Sequence, residues 1–271
     1  MSDDSRGPAG GPAPTNRFTD RVRDYERARP GYPRGLLDLL RTHAGLVPGS
    51  VVADLGSGTG LFGRMLLDAG HVVHCVEPND AMRAVAERTL ARCPGFSSVD
   101  GTAENTGLAD SSVDTVTAAQ ALHWFRPEET HRELRRILRP GGRLVAVWNT
   151  RCAATSGFLP GYERLLLRWG TDYREVDHRK TGSRAGLTRF FGHDDFSRAV
   201  LPHEQRLDWA GLRARLLSSS YTPASGHPDR EPMLRDLRAI FDANQRDGTV
   251  RMAYDTEVYY GSVSARSSHA R

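Results

Sequence analysis

The chain has 271 residues, enough for one large core or one core with a cap. Its formal net charge of +4 rests almost wholly on arginine, since Lys180 is the only lysine, and the arginines are spread along the chain without a basic stripe interleaved with aromatics. That distribution argues against nucleic acid as a partner. Cys75, Cys93 and Cys152 form no C-x-x-C pair and have no ligand-spaced histidines, which excludes a disulfide framework and a metal site. Neither a secretory leader nor an apolar run long enough for a membrane span is present, so no membrane partner and cytoplasmic residence are the expectation.

Residues 1–14 are Gly, Pro, Ser and Asp with almost nothing to bury, which reads as a disordered tail. Residues 15–46 read as N-terminal helices: one carries Phe18, Val22 and Tyr25 and is broken by Pro30 and Pro33, and a second runs from Leu36 through Leu40 to end near Gly45. From Val51 strands and helices alternate. Val51–Leu55 is an apolar run stopped by glycine, as in a buried parallel strand. Leu61, Phe62, Met65, Leu66 and Ala69 have helical spacing, with Gly70 at the C-terminal end. "HVVHCVE" is the next strand, and Asn79 is an N-cap for a helix with Met82, Val85, Ala86 and Thr89 on one face. "SVDTVTAA" is a strand, Thr130 to Leu138 a helix, "RPGG" a turn and "RLVAVW" a further strand. Such alternation implies an α/β, doubly wound sheet through residues 47–150.

Residues 151–247 lose that regularity. Helical patches at Tyr162–Trp169, Leu212–Leu217 and Met233–Phe241 stand among arginine-rich connections. The alternation of Val250, Met252, Tyr254, Thr256 and Val258 then reads as a strand over 248–261, before a tail at 262–271. A strand returning to the sheet makes 151–247 a capping insertion.

The segment "VADLGSGTGLFG" contains two glycine registers. Gly58, Gly60 and Gly63 spell the G-x-G-x-x-G of a dinucleotide site, whereas Gly56, Gly58 and Gly60 spell a tighter loop preceded by Asp54. The first strand ends at Leu55, and a dinucleotide fingerprint starting at its end needs glycine where Leu61 stands. The Gly56 register is therefore preferred, and Gly63 reads as a close helix-to-sheet contact. Glu77 closes the second strand, where a carboxylate can accept from both hydroxyls of a ribose.

"VADLGSGTG", "VEP", "GTAENTGLADSSVDTV" and "LRPGGRLV" resemble, in order and spacing, the motifs of class I S-adenosylmethionine-dependent methyltransferases. A wider likeness through "YERARPGYP", "AQALHWF" and "SSSYTP" is to the small-molecule group similar to trans-aconitate methyltransferase. The resemblance implies a Rossmann-like seven-stranded sheet with a helical cap, S-adenosylmethionine as cofactor and methyl transfer to a small-molecule acceptor. Carried onto this chain, it implies Gly56, Ser57, Gly58 and Gly60 against the methionine part of the donor, Asp54 beneath the loop, and Glu77 on the ribose. Pro78, Met82, Thr102, Ala103 and Glu104 would surround adenine, Gln120 and Ala121 would face the methionine, and Tyr25 and Arg29 would close over it.

For the acceptor, His123 is the candidate base or wall residue and Trp124 a candidate substrate wall; Trp148, Arg151, Arg174 and Tyr221 join them, the arginines as grips for a carboxylate or phosphate. Oxygen, of a carboxylate or hydroxyl, is the preferred methyl acceptor, with carbon or nitrogen as alternatives. A nicotinamide oxidoreductase through the Gly58 register and a protein that binds S-adenosylmethionine without transferring methyl are the competing readings.

Overall fold

The computed structural model describes residues 29–152, 157–173 and 181–263, so Tyr25 and Arg174 lie outside the described residues. Seven strands, β1 (Val51–Leu55), β2 (Val72–Val76), β3 (Phe96–Val99), β4 (Val113–Ala119), β5 (Leu138–Arg151), β6 (Ser197–Leu207) and β7 (Val250–Ser262), form one sheet in the order β3-β2-β1-β4-β5-β7-β6. The first five are parallel; β7 runs antiparallel to both β5 and β6. The helices are α1 (Gly35–His43), α2 (Leu61–Asp68), α3 (Asp80–Leu90), α4 (Pro127–Ile137), α5 (Phe158–Trp169), α6 (Arg184–Phe191), α7 (Trp209–Leu217) and α8 (Arg230–Asn244).

Strand β5 shows how one run of sequence serves two cores. Successive side chains point to opposite faces: Leu144, Ala146 and Trp148 pack with Leu134 and Ile137 of α4 and Leu187 and Phe190 of α6. Val145 and Val147 pack on the other face with residues of α1, α2 and α3. A strand buried on both sides reads as continuous apolar sequence, as "RLVAVW" does. A third apolar cluster joins α5, α7 and α8 to Val250, Met252 and Tyr254 of β7. The early half of β7 thus carries the cap while its later half completes the sheet.

Four local expectations are corrected. Thr89 is exposed and bonds back to the Val85 carbonyl at 2.8 Å, so Leu90 takes its place on the inner face of α3. Helix α4 starts at Pro127, because Pro and two acids suit a first turn although they carry no apolar signal. "RPGG" is not a free turn: Leu138 already pairs with Val113, and the register shifts before Arg143 pairs with Thr115. Finally, β6 lies inside the segment read as helical patches. Its inward-facing positions include His203 and Gln205, which break the apolar alternation, and Pro202 sits on its unpaired edge.

Among the described residues, no helix is long and apolar enough to cross a membrane.

Candidate functional site

The chain leaves β1 toward α2 on one face of the sheet and leaves β4 toward α4 on the other. The carboxyl ends of β1 and β4 are adjacent, so the diverging connections open a crevice there, the usual ligand position in such sheets. A cleft occupies it. Asp54, Gly56 and Ser57 line one side, Ala119 and Gln120 another, and Asn149 of β5, Arg29, Tyr32 and Arg215 complete the walls.

The loop after β1 is fixed to the end of β2. The Gly56 and Ser57 amides donate to the Val76 carbonyl at 2.9 and 3.2 Å. Glu77, only 8% exposed, accepts from Gly58 N at 2.8 Å through one carboxylate oxygen and from Asn79 N at 2.9 Å through the other. Burial raises the Glu77 pKa, while the Asn79 and Gly58 amides and the Arg83 charge oppose it. Each oxygen keeps a further lone pair, so holding the loop and accepting from a ligand diol are compatible. Asn79 in turn caps α3 as expected, accepting from Met82 N at 2.9 Å.

Asp54 is 1% exposed. Its Oδ1 accepts from the Thr117 hydroxyl at 2.7 Å, whereas Oδ2 is buried beside the Gly63 amide without a hydrogen bond of normal geometry. Burial pushes its pKa up to about 7, with the Glu77 charge adding and the Thr117 hydroxyl and Gly63 amide opposing. Gln120 Nε2 is buried without a partner in the same cleft, and Ser57 Oγ stands beside the Cys75 thiol. Gln120 also stands at φ +60, a left-handed conformation that costs a non-glycine residue about 1 kcal/mol or more and persists only where its surroundings enforce it. Its amide is held by the Val147 carbonyl at 2.8 Å. One acceptor and one donor therefore stand incompletely bonded at the ends of β1 and β4, and buried polar atoms of this kind need partners.

The glycines separate the two registers. A Cβ on Gly60 would lie 2.5 Å from Leu90 Cδ1, and one on Gly63 would lie 2.7 Å from Cys75 Sγ. Both are packing glycines, Gly63 as the expected helix-to-sheet contact. In the dinucleotide register Gly60 is the residue that lets backbone approach the pyrophosphate; here its missing side chain is replaced by α3. Gly56, at φ +63, makes room for Ala121 Cβ and the Phe125 ring. We expect Gly60→Ala, which adds a clash to an unfavourable φ of +80, to destabilise the fold by about 1–3 kcal/mol, read as a lowered urea midpoint at unchanged slope.

Of the residues singled out from sequence, Arg29, Asp54, Gly56, Ser57 and Gln120 meet in the cleft. Pro78, Thr102, Ala103 and Glu104 lie beside it, after the carboxyl ends of the neighbouring strands β2 and β3. Thr102 closes a tight turn with Asn105, Ala103 is buried in the core, and Glu104 accepts from Arg126 N at 2.8 Å at the start of α4. Met82 is buried on α3. Trp148, expected as a substrate wall, is 1% exposed and packs edge-on to Tyr259, so it supports the site from behind. Its indole N–H points to His123 Nδ1 at 3.5 Å, and His123 packs on Trp124. Arg151 and Tyr221 lie together in the cap. Arg151 donates to the Tyr173 hydroxyl at 2.6 Å and reaches Glu163 at 3.4 Å.

Sequence reasoning missed Asn149, Tyr32 and Arg215. Asn149 bonds the Gly31 carbonyl at 3.0 Å and the Thr256 hydroxyl at 2.7 Å, tying the N-terminal segment to the sheet. Arg215 had a legible signal. It falls between Leu212 and Leu216 on the buried stripe of α7, where a charge needs a reason.

Residues 53–146 match the family model described as a methyltransferase domain. These residues form a methyltransferase domain. An uncharacterized methyltransferase of Mycobacterium tuberculosis is 43% identical over 138 residues, covering 49% of this chain and 52% of that protein. An uncharacterized methyltransferase-like protein of Schizosaccharomyces pombe is 37% identical over 134 residues, with the same coverage of 49% and 52%. The chain thus spans about half the length of the curated relatives it matches. A solved structure from Anaeromyxobacter dehalogenans, provisionally assigned as a type II methyltransferase, superposes with a TM-score of 0.64 at 27% identity, covering 87% of this chain and 98% of that one. The chemistry of the cleft suits a zwitterionic ligand, with an acceptor at Asp54 Oδ2 for an ammonium and a donor at Gln120 Nε2 for a carboxylate.

Proposed function

We propose that this protein transfers a methyl group from S-adenosylmethionine to a small-molecule acceptor, preferentially to oxygen of a carboxylate or hydroxyl, by in-line displacement. The observation that carries the reading is the pair of buried polar atoms, Asp54 Oδ2 and Gln120 Nε2, left without full hydrogen bonding at a cleft on the β1/β4 switch point. Bound S-adenosylmethionine supplies a methyl already activated by its sulfonium. The protein's own task is alignment and exclusion of water, which is worth about 7–11 kcal/mol in favourable cases.

Residues 47–150 hold the donor in this reading, with Asp54, Ser57, Gln120 and Glu77 fixing its position and Pro78, Met82 and Thr102 bordering adenine. Within residues 151–247, α5, α7 and α8 serve as cap and acceptor wall, while α6 packs on α4 and β6 is the edge strand of the sheet to which 248–261 return. His123 is assigned to the wall. The Trp148 N–H lies 3.5 Å from its Nδ1, and its ring packs on Trp124, so both contacts hold it as part of the wall. A carboxylate acceptor needs no base, so such a wall is sufficient.

Calorimetric titration with S-adenosylhomocysteine, S-adenosylmethionine and NAD(H) tests the donor, followed by transfer of labelled methyl to a panel of organic acids and alcohols. Binding of both sulfur nucleotides and label in small molecules are the expected results. NAD(H) binding without the sulfur nucleotides would overturn the donor, and label confined to nucleic acid or protein would overturn the acceptor class.

A further inference from the structure

The cap buries one positive charge, that of Arg215, which its described residues do not neutralise. Arg215 is 4% exposed, yet no carboxylate lies within ion-pair distance of it among the described residues. Its bonds go to neutral partners, Nε to the Tyr254 hydroxyl at 3.4 Å and Nη1 to Ser219 Oγ at 3.2 Å. Both are long. Arg151 stands behind it with Glu163 at 3.4 Å, but that carboxylate also accepts from Tyr173 at 2.5 Å. Arg29 joins from the N-terminal side, donating to the Ser218 carbonyl at 3.1 Å at the end of α7. Arg151, Arg215 and Arg29 thus gather about the Tyr221 hydroxyl, and the Tyr254 hydroxyl adds to the neutral partners of Arg215.

A buried guanidinium bonded only to hydroxyls is costly to keep, because neutral bonds do not repay the lost hydration of the charge. Charge of this sort is retained where an anion completes the site. Arg215 and Arg29 both line the cleft that contains Asp54 and Gln120, so the excess charge opens onto the candidate transfer site and not onto solvent. We propose that Arg215, backed by Arg151, is the docking point for an anionic group, carboxylate or phosphate, of the acceptor that the cap holds over the methyl donor. The inference rests on the methyltransferase reading and gives its acceptor a charge class.

Tyr221 registers the same field. Burial alone would raise its phenol, but Arg151, then Arg215, the Ser219 hydroxyl and Arg29 bring it down to about 8. Glu163 and the tyrosines Tyr162, Tyr173 and Tyr254 are the other titratable groups packed on these arginines. Arg215→Met removes the charge while keeping most of the apolar stem of the side chain, so it separates a ligand-binding role from a structural one.

Succinate, inorganic phosphate and neutral succinamide are titrated at constant ionic strength into wild-type protein, Arg215→Met and Arg215→Lys, each with and without S-adenosylhomocysteine. Wild type should bind succinate or phosphate at millimolar concentrations and not succinamide, and which anion binds better distinguishes the two sources. Arg215→Met should weaken that binding about tenfold or more, and Arg215→Lys should retain part of it. In anion-free buffer Arg215→Met should melt about 2–4 °C higher than wild type, since an uncompensated buried charge has been removed. A lowered melting point with unchanged anion affinity would make Arg215 structural and overturn the proposal. So would failure of wild type to bind either anion, or a loss of S-adenosylhomocysteine affinity that 5′-methylthioadenosine does not share, which would give the guanidinium to the donor's carboxylate. Absence of S-adenosylhomocysteine binding is a separate result. It refutes the donor reading, while the anion arm without nucleotide still decides the charge site.

Discussion

Glu77→Ala should reduce S-adenosylhomocysteine affinity by about 100-fold or more and lower the melting temperature measurably in the ligand-free protein. Two losses combine. Both oxygens of the buried carboxylate hold backbone amides, Gly58 N and Asn79 N, at 2.8 and 2.9 Å. Hydrogen bonds to a charged group contribute about 1.5–3 kcal/mol each, and removing the acceptor leaves both donors unsatisfied. The Gly58 amide belongs to the donor loop, so its release loosens the wall that the ligand meets, and the diol contact is lost at the same time.

Glu77→Gln separates these contributions. It keeps one acceptor oxygen and sets an NH2 group against the other backbone amide, so the loop should be strained while one contact survives. An intermediate loss of affinity, about tenfold, is the expected outcome in calorimetry. Wild-type affinity in both variants would mean that Glu77 staples the β1 loop and does not meet the donor.

How much of this was readable before the fold depends on whether a residue's signal is local. Asn79, Gly63 and the β1 loop were legible because capping, close packing and strand termination are set within a few residues of sequence. Strand β7 was legible because its alternation of Val250, Met252, Tyr254, Thr256 and Val258 survives in the burial pattern. Strand β6 was not, because an edge strand tolerates His203, Gln205 and Pro202 where a central strand would not. Trp148 looked like a wall because it ends a strand near the site. Its face was decided by the pairing of β5 with β7 and by Tyr259, which lies more than a hundred residues away. Arg151 is one of a crowded set of arginines, whereas Arg215, which lines the cleft with Arg29, needs the contacts of α7 to be distinguished from its neighbours.

Asp54 makes donor binding depend on pH in a stated direction. In the free protein burial first, and the Glu77 charge second, push its carboxyl up to about 7, so at about pH 6 it is mostly protonated. An ammonium placed against Oδ2 favours the carboxylate, and binding must then release close to one proton. Calorimetric enthalpies at about pH 6 should vary with the ionisation enthalpy of the buffer, and above about pH 8 that dependence should vanish. Affinity should fall by about tenfold for each pH unit below 7. Stability of the free protein runs the other way. A carboxyl whose folded pKa lies above its unfolded value contributes fully below the unfolded pKa, and the contribution is lost as pH rises through about 7. Asp54→Asn keeps an acceptor for the Thr117 hydroxyl and cannot ionise. It should therefore bind S-adenosylhomocysteine weakly at every pH, yet melt higher than wild type at about pH 8. Proton release equal at both pH values, or wild-type affinity in Asp54→Asn, would show that the buried Oδ2 has no ligand to meet. Because Glu77 contributes to the raised pKa, Glu77→Gln should also move the midpoint of this dependence to lower pH, which joins the two acids in one measurable couple.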